Sequence, residues 1–535
     1  MRKFLAATVA ASAGLLIGAG TIPAAAAAHG GHASGYTPPP IDWGTCTRPS
    51  LQARNAECGF LVVPLDYAKP NGTKIKIAVS RIKHKSSDAQ YQGVMLTNPG
   101  GPGGSGLGLP VIGESVPNGA GDLYDWIGFD PRGVGSSVPA LSCDTEYFGY
   151  NRPYFVPVNR KLEKTWRAKA AGYAKKCDKA GGALLDHVKT TDSVADMESL
   201  RKALGAKQIN YYGFSYGTYL GQVYATLHPE RIRRAVFDGV VDPTRVWYDA
   251  NLDQDVQFDK NMDVYFGWIA KYDSVYHLGK TGKAVEAKYY ATLQALRKTP
   301  AAGKIGPDEW NDIFVSAGYY VYGWQDVADA FAAWVNDRDP SLLLANYAEP
   351  GGVAADNNYA MYLATQCTDV KWPQNWSKWQ RDNWKIYAKH PFMTWNNAWY
   401  NAPCLNWGAK PGKPVQISGK KAPGILLIAE TNDAATPFTG ALEVRKRFGK
   451  SVLIEGVGGT THSGSLSGIA CTDDTIATYL ATGVLPKRVP GNRSDKRCAP
   501  VPQPDPTAAA ALRADVAGKQ PARPVPSVGR PALVK

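Results

Sequence analysis

Along this chain short apolar runs alternate with stretches whose apolar residues recur every three or four positions. Residues 93–97 form a brief apolar run, with Val94, Met95 and Leu96 at its centre, that leads straight into glycines. Residues 126–129, 208–212 and 234–238 read the same way, and near the other end so do 424–429 and 452–454. Between them, 193–204 place Val194, Met197, Leu200 and Leu204 on one helical face, and 218–227, 438–448 and 475–482 read as further helices. Strands this short and this apolar are buried on both sides. The alternation therefore predicts an α/β fold: a mostly parallel central sheet with helices on both faces. From about 247 to 420 the strand signals fade, and Trp/Tyr-rich helical stretches such as 308–336 and 357–387 take over. The expected organisation is a first core part at 41–246, a large mainly helical cap at 247–420, and a second core part at 421–499.

The two ends differ from this pattern. Arg2 and Lys3 precede an apolar run over 4–20, and Pro23 precedes the alanines of 24–28. These are the n-region, h-region and A-x-A exit of a secretory signal peptide at 1–28. A membrane anchor is the competing reading, but it calls for about 20 apolar residues. Residues 29–40 read as a Gly/Pro/His-rich linker or propeptide, and 500–535 as a Pro/Ala-rich, basic, disordered tail. The formal charge of +14 concentrates there. From Lys487 to Lys535 there are ten Lys/Arg and three Asp/Glu, so no basic stripe crosses the body of the chain and nucleic acid is not an expected partner. The eight cysteines fall as sequence neighbours: Cys46 with Cys58, Cys143 with Cys177, Cys367 with Cys404, and Cys471 with Cys498. Sequential disulfides are the simplest of many connectivities, and they fit an extracellular protein with no membrane anchor once the leader is cleaved. No C-x-x-C pair supports a metal site.

The chemistry gathers at strand ends. Gly213-Phe-Ser215-Tyr-Gly217 follows a strand and opens a helix, the setting that exposes a nucleophilic serine on a tight turn. A serine hydroxyl needs a base, and the base needs an acid to orient it. Asp433 follows the 424–429 strand and His462 follows the 452–454 strand, giving the chain order Ser, acid, His. Asp433 could instead be a turn or helix-capping aspartate ahead of Thr436-Pro437, and Glu430 is the competing acid. The run Asn98-Pro-Gly-Gly-Pro-Gly-Gly-Ser-Gly106 can aim backbone N–H groups at a developing oxyanion. Gly101, with Gly100 as its near neighbour, and Tyr216 are the expected donors. The run lacks the Lys-Ser/Thr ending of a phosphate-binding loop.

Together with Val63-Pro-Leu-Asp-Tyr67, Asp130-x-Arg-Gly-x-Gly-x-Ser137, Gln366-Cys-Thr-Asp369 and Cys404-Leu-Asn-Trp407, these motifs make the chain resemble the secreted bacterial tripeptidyl aminopeptidases. Those are α/β-hydrolase serine peptidases related to prolyl aminopeptidases, and the likeness runs from about Trp43 to Cys498. It implies release of short peptides, often three residues long, from peptides or proteins with a free N-terminus, and no cofactor. It also implies carboxylates that hold the substrate ammonium, for which Asp369 and Glu349 are the candidates by analogy. One departure is Thr461, which stands before His462 where the family commonly has glycine. An esterase or lipase using the same triad is the alternative enzyme, and a catalytically silent binding protein on the same fold is the alternative class.

Overall fold

The computed structural model describes residues 35–347 and 351–507. The leader at 1–28, most of the 29–40 linker, Glu349 and the tail beyond 507 lie outside the described residues.

Ten strands form one sheet among the described residues. In chain order they are β1 (Gly44–Thr45), β2 (Glu57–Pro64), β3 (Lys74–Ile82), β4 (Val94–Asn98), β5 (Asp125–Phe129), β6 (Ile209–Phe214), β7 (Ile232–Asp238), β8 (Leu426–Glu430), β9 (Val452–Gly456) and β10 (Lys496–Cys498). Their spatial order is β1-β2-β3-β5-β4-β6-β7-β8-β9-β10. The first three strands and the β3–β5 join are antiparallel. From β5 through β4 to β10 every neighbour is parallel.

The parallel strands are buried on both faces, and their side chains alternate accordingly. Leu96, Ile127, Tyr211, Phe237, Leu427 and Leu453 face one apolar cluster. Met95, Trp126, Tyr212, Val236, Leu426 and Ile454 face another. The longer helices are α1 (Arg160–Gly181), α2 (Thr190–Ala203), α3 (Tyr216–Leu227), α4 (Tyr248–Lys271), α5 (Gly282–Lys298), α6 (Pro307–Tyr319), α7 (Trp324–Ala332), α8 (Val353–Asp369), α9 (Trp376–Tyr387), α10 (Thr394–Asn401), α11 (Phe438–Arg447) and α12 (Ala470–Thr482). Helices α2, α3 and α11 cover the first face, through residues such as Met197, Leu220 and Val444. Helix α12 covers the second through Ile476 and Leu480.

A third cluster, rich in Trp and Tyr, is built chiefly from α4 to α7 and α10. Two findings about it did not show in the apolar pattern. Residues 154–156 and Trp166 of α1 join this cluster although they precede Ser215 in sequence. Helix α8, by contrast, packs into the sheet cluster through Tyr359, Leu363 and Cys367. The helix-like stretch over 357–387 is two helices, separated at 370–375, where Pro373 stands. Residues 500–507, expected to start the tail, lie against the body: Val501 is buried in the aromatic cluster, and Trp268 Nε1 donates to the Pro504 carbonyl at 2.9 Å. Disulfides join Cys46–Cys58, Cys143–Cys177, Cys367–Cys404 and Cys471–Cys498. No helix among the described residues is long and apolar enough to cross a membrane.

Candidate active site

Parallel strands point their C-terminal ends the same way, so the loops after β6, β7, β8 and β9 open side by side. Ser215 leaves β6 with φ 55° and ψ −125°, a backbone state that costs a non-glycine residue roughly 1–3 kcal/mol. Its neighbours hold it there. The Ser215 N–H donates to the Asp238 carbonyl at the end of β7 (3.0 Å), and α3 begins at the next residue. The turn is so tight that a Cβ at position 217 would lie 2.7 Å from the Asn98 carbonyl oxygen. Only glycine lets β4 and α3 approach this closely.

His462 and Asp433 meet across the ends of β8 and β9. The imidazole Nδ1 lies 2.8 Å from Asp433 Oδ2 and 3.0 Å from Oδ1, with both residues buried. Asp433 also accepts from the Ala435 and Thr436 N–H groups (2.9 Å each) and from the Thr436 hydroxyl (2.8 Å). It thus fills the turn role and the histidine-facing role at once. The Asp238 carbonyl that receives the Ser215 amide also receives the Ser463 hydroxyl (3.2 Å), which draws the histidine loop to the serine turn. The Ser215 hydroxyl itself makes no hydrogen bond among the described residues.

The histidine loop is pinned from both sides. From the aromatic region, the Tyr319 carbonyl accepts the His462 N–H (2.8 Å), Asn261 donates to the Thr460 carbonyl (3.1 Å), and the Thr461 hydroxyl accepts from Val321 N–H (3.2 Å). The unusual Thr461 is therefore an anchoring point. From the sheet, Glu430 accepts from Thr461 N–H (2.5 Å) through one oxygen and from Val501 N–H (2.7 Å) through the other. Burial pushes the Glu430 carboxyl up to about 8, against the pull of those two N–H groups. Burial likewise pushes Asp238 up to about 6, while Ser465 N–H holds its Oδ2 at 2.8 Å. Neither anchoring role was read from the sequence. The available signal was position alone, since both acids end a strand beside the site.

The glycine loop lies over the serine turn. A Cβ at position 100 would stand 2.8 Å from Ser215 Cβ and 3.0 Å from Tyr216 N. The Gly100 N–H is engaged by Asn98 Oδ1 at 2.9 Å, whereas the N–H groups of Gly101 and Tyr216 donate to nothing among the described residues. Asp130 clamps the far end of the loop, accepting from the Ser105 hydroxyl (2.6 Å) and Gly106 N–H (2.9 Å). Arg132, two residues on, is buried and forked onto Asp196 at 2.7 and 2.6 Å. Within the Asp-x-Arg motif, Asp130 thus holds the loop, while Arg132 ties the motif to Asp196 and to the Leu65 and His187 carbonyls.

Gly101, Ser215, Tyr216 and Thr436 form one side of a cavity with about 1400 Å³ of empty space, its open mouth included. Trp247, Tyr319, Tyr362 and Tyr400 of the helical region form much of the other side. Asp369 is not among its lining residues. The Asp369 carboxylate accepts from Thr190 N–H and hydroxyl (2.6 Å each) and from Trp247 Nε1 (3.1 Å), and burial pushes it up to about 6. It holds the cavity floor together, because the Thr190 hydroxyl in turn meets Tyr216 Oη at 2.8 Å. Glu349 lies outside the described residues.

The family described as alpha/beta hydrolase fold matches residues 93–281, and that described as TAP-like protein matches 390–498. The chain is 40% identical over 479 residues to a tripeptidyl aminopeptidase of Streptomyces lividans, covering 87% of this chain and 88% of the other. It is 28% identical to serine protease Hip1 of Mycobacterium bovis (84% and 90% covered) and to carboxylesterase B of Mycobacterium tuberculosis (86% and 90% covered). Among solved structures it resembles a proline iminopeptidase of Mycobacterium smegmatis, with a TM-score of 0.39 at 14% identity over 79% of this chain and 97% of the other.

Proposed function

This chain belongs to the tripeptidyl aminopeptidase family of α/β-hydrolase serine peptidases, and we propose that it is a secreted exopeptidase releasing tripeptides from free N-termini through an acyl-enzyme on Ser215. The observation that carries the reading is the buried His462–Asp433 pair, set at adjacent strand ends beside a strained serine that opens into a large, aromatic-walled cavity. In this reading Ser215 attacks the scissile carbonyl and His462 takes its proton. Asp433 fixes the imidazole tautomer and stabilises the imidazolium. The oxyanion is received by the N–H groups of Gly101 and Tyr216, neither of which has a partner among the described residues. His462 then protonates the leaving amine, and water releases the acyl group.

Export is supported by the leader pattern and the four disulfides. The test is hydrolysis of a tripeptide p-nitroanilide with its N-terminus free and then acetylated, beside Ser215→Ala. Cleavage of the free form alone, abolished in the variant, is the expected result. Equal cleavage of both forms would make it a serine peptidase with no need of a free N-terminus, and turnover of simple acyl esters alone would replace the aminopeptidase reading with an esterase one.

A further inference from the structure

Charge is unevenly spread over the fold. Residues 35–347 and 351–507 hold 53 Lys/Arg and 44 Asp/Glu, a net of +9. Thirteen of those bases and three of those acids lie on α1 and in residues 371–389, around α9. That region alone carries +10, so the rest of the described protein is close to neutral. The two helices are far apart in sequence but touch in space. Glu163 of α1 accepts from Trp376 Nε1 (2.7 Å) and Gln380 Nε2 (3.0 Å) of α9, and the Arg167 guanidinium lies over the Trp376 ring. The sequence places its excess charge at the chain ends; folding gathers a second excess here.

Helix α1 buries Trp166, Ala170, Tyr173, Ala174 and Cys177 on one side. Its other side exposes Arg160, Lys161, Lys164, Arg167, Lys175 and Lys179. Among the described residues the region's ion pairs are Lys176–Asp144 and Lys378–Asp382, which leave those six cations unpaired. Arg160–Lys164, Lys164–Arg167 and Lys175–Lys179 stand three or four residues apart, where like charges destabilise a helix. A bound polyanion would offset that repulsion. Between the cations at its two ends this side carries Ala168, Ala171 and Gly172, and a Cβ at position 172 would meet open space. A thin chain can therefore lie against the helix along the roughly 27 Å from Lys161 to Lys179.

We infer that this face docks a linear polyanion with a phosphate in each repeat of its backbone. Ammonium and guanidinium groups both bind phosphate oxygens, and release of the polymer's counterions drives the association. Other partners need an apolar anchor. Large apolar side chains are exposed elsewhere, such as Phe60, Tyr322 and Val353, but among the described residues none is exposed on α1 or in 371–389. A protein interface, an inserted membrane helix and a base-stacking platform each require one. No residue of α1 or of 371–389 lines the cavity beside Ser215, so a tethered enzyme keeps its site open.

The experiment measures binding of the purified protein to fluorescently labelled linear inorganic polyphosphate by anisotropy. Wild type is compared with Lys161→Gln/Lys164→Gln/Lys175→Gln/Lys179→Gln and with a control of equal charge loss, Lys69→Gln/Lys207→Gln/Lys280→Gln/Lys283→Gln. With about five phosphates engaged the log–log salt slope is near −3.5, so wild-type affinity should fall roughly 100-fold between 50 and 200 mM salt. The α1 variant should bind at least about tenfold more weakly, with a slope shallower by about 2 to 3, while the control tracks wild type. Both variants should keep wild-type turnover of a tripeptide anilide and fluorophosphonate labelling of Ser215. Absent or salt-insensitive binding by the wild type overturns the assignment. Equal weakening of the two variants also overturns it, by making net charge the cause. Tighter binding to phosphatidylglycerol vesicles or to oligothymidylate than to polyphosphate would replace the polymer by a membrane surface or by nucleic acid.

Discussion

Replacing Gly217 by alanine should disable the enzyme without touching any reacting group. The new Cβ would lie 2.7 Å from the Asn98 carbonyl oxygen and 2.8 Å from Asn98 Oδ1, where ordinary contact begins near 3.4 Å. Asn98 must therefore retreat from the serine turn by about 0.6–0.7 Å, at an overpacking cost of roughly 1–3 kcal/mol. Asn98 Oδ1 is also the acceptor that holds Gly100 N–H at 2.9 Å, one residue before the Gly101 donor. The displacement is thus delivered to the proposed oxyanion site. Loss of a whole oxyanion donor costs about 10²–10³ in kcat, and a misplacement of about 1 Å can cost roughly 10². A shift of this size should lower kcat for a tripeptide anilide about 10- to 100-fold. KM should change little, and fluorophosphonate labelling of Ser215 should slow in parallel. A variant that folds, labels at the wild-type rate and keeps kcat within about threefold would refute the coupling between Asn98 and the oxyanion donors.

Asp433→Asn should lower kcat by roughly 10⁴-fold at neutral pH, because the amide favours the wrong imidazole tautomer; steady-state kinetics with wild-type-like melting would establish it. Glu430→Ala leaves the Thr461 and Val501 N–H groups buried without acceptors, so the melting temperature and kcat should fall together. For Glu430 itself the folded value of about 8 stands above the ordinary 4.5. Its favourable contribution is complete below about 4.5 and is lost as pH rises through about 8, on the order of a few kcal/mol. Chemical denaturation across pH 5–9 should therefore show the stability gap between wild type and Glu430→Gln narrowing as pH rises; a constant gap would contradict this. Removing Cys367–Cys404 by a double serine substitution frees a 37-residue separation, which chain entropy values at about 4 kcal/mol; urea unfolding measures it.

Much of this arrangement was legible because strand ends carry the chemistry. Ser215, Asp433 and His462 each follow a short apolar run that is a strand, and a parallel sheet brings such ends together whatever the intervening sequence. The helix boundaries were less legible. Helix α12 starts at Ala470 although its apolar pattern emerged only at 475, because the polar Thr472 and Asp473 are buried in its first turn. Asp369 shows the wider limit. The resemblance offers it for the substrate ammonium, but Thr190 and Trp247 occupy its carboxylate. That placement is set by elements far apart in the chain, as is the joining of residues 154–156 and α1 to the aromatic cluster. Local periodicity carries no trace of either.

The most direct test of the central claim is mass spectrometry of the products from one unblocked oligopeptide, followed over time with wild type and with Ser215→Ala. The account predicts successive release of tripeptides from the N-terminus by the wild type and none by the variant. Single residues, internal fragments, or unchanged release by the variant would contradict it.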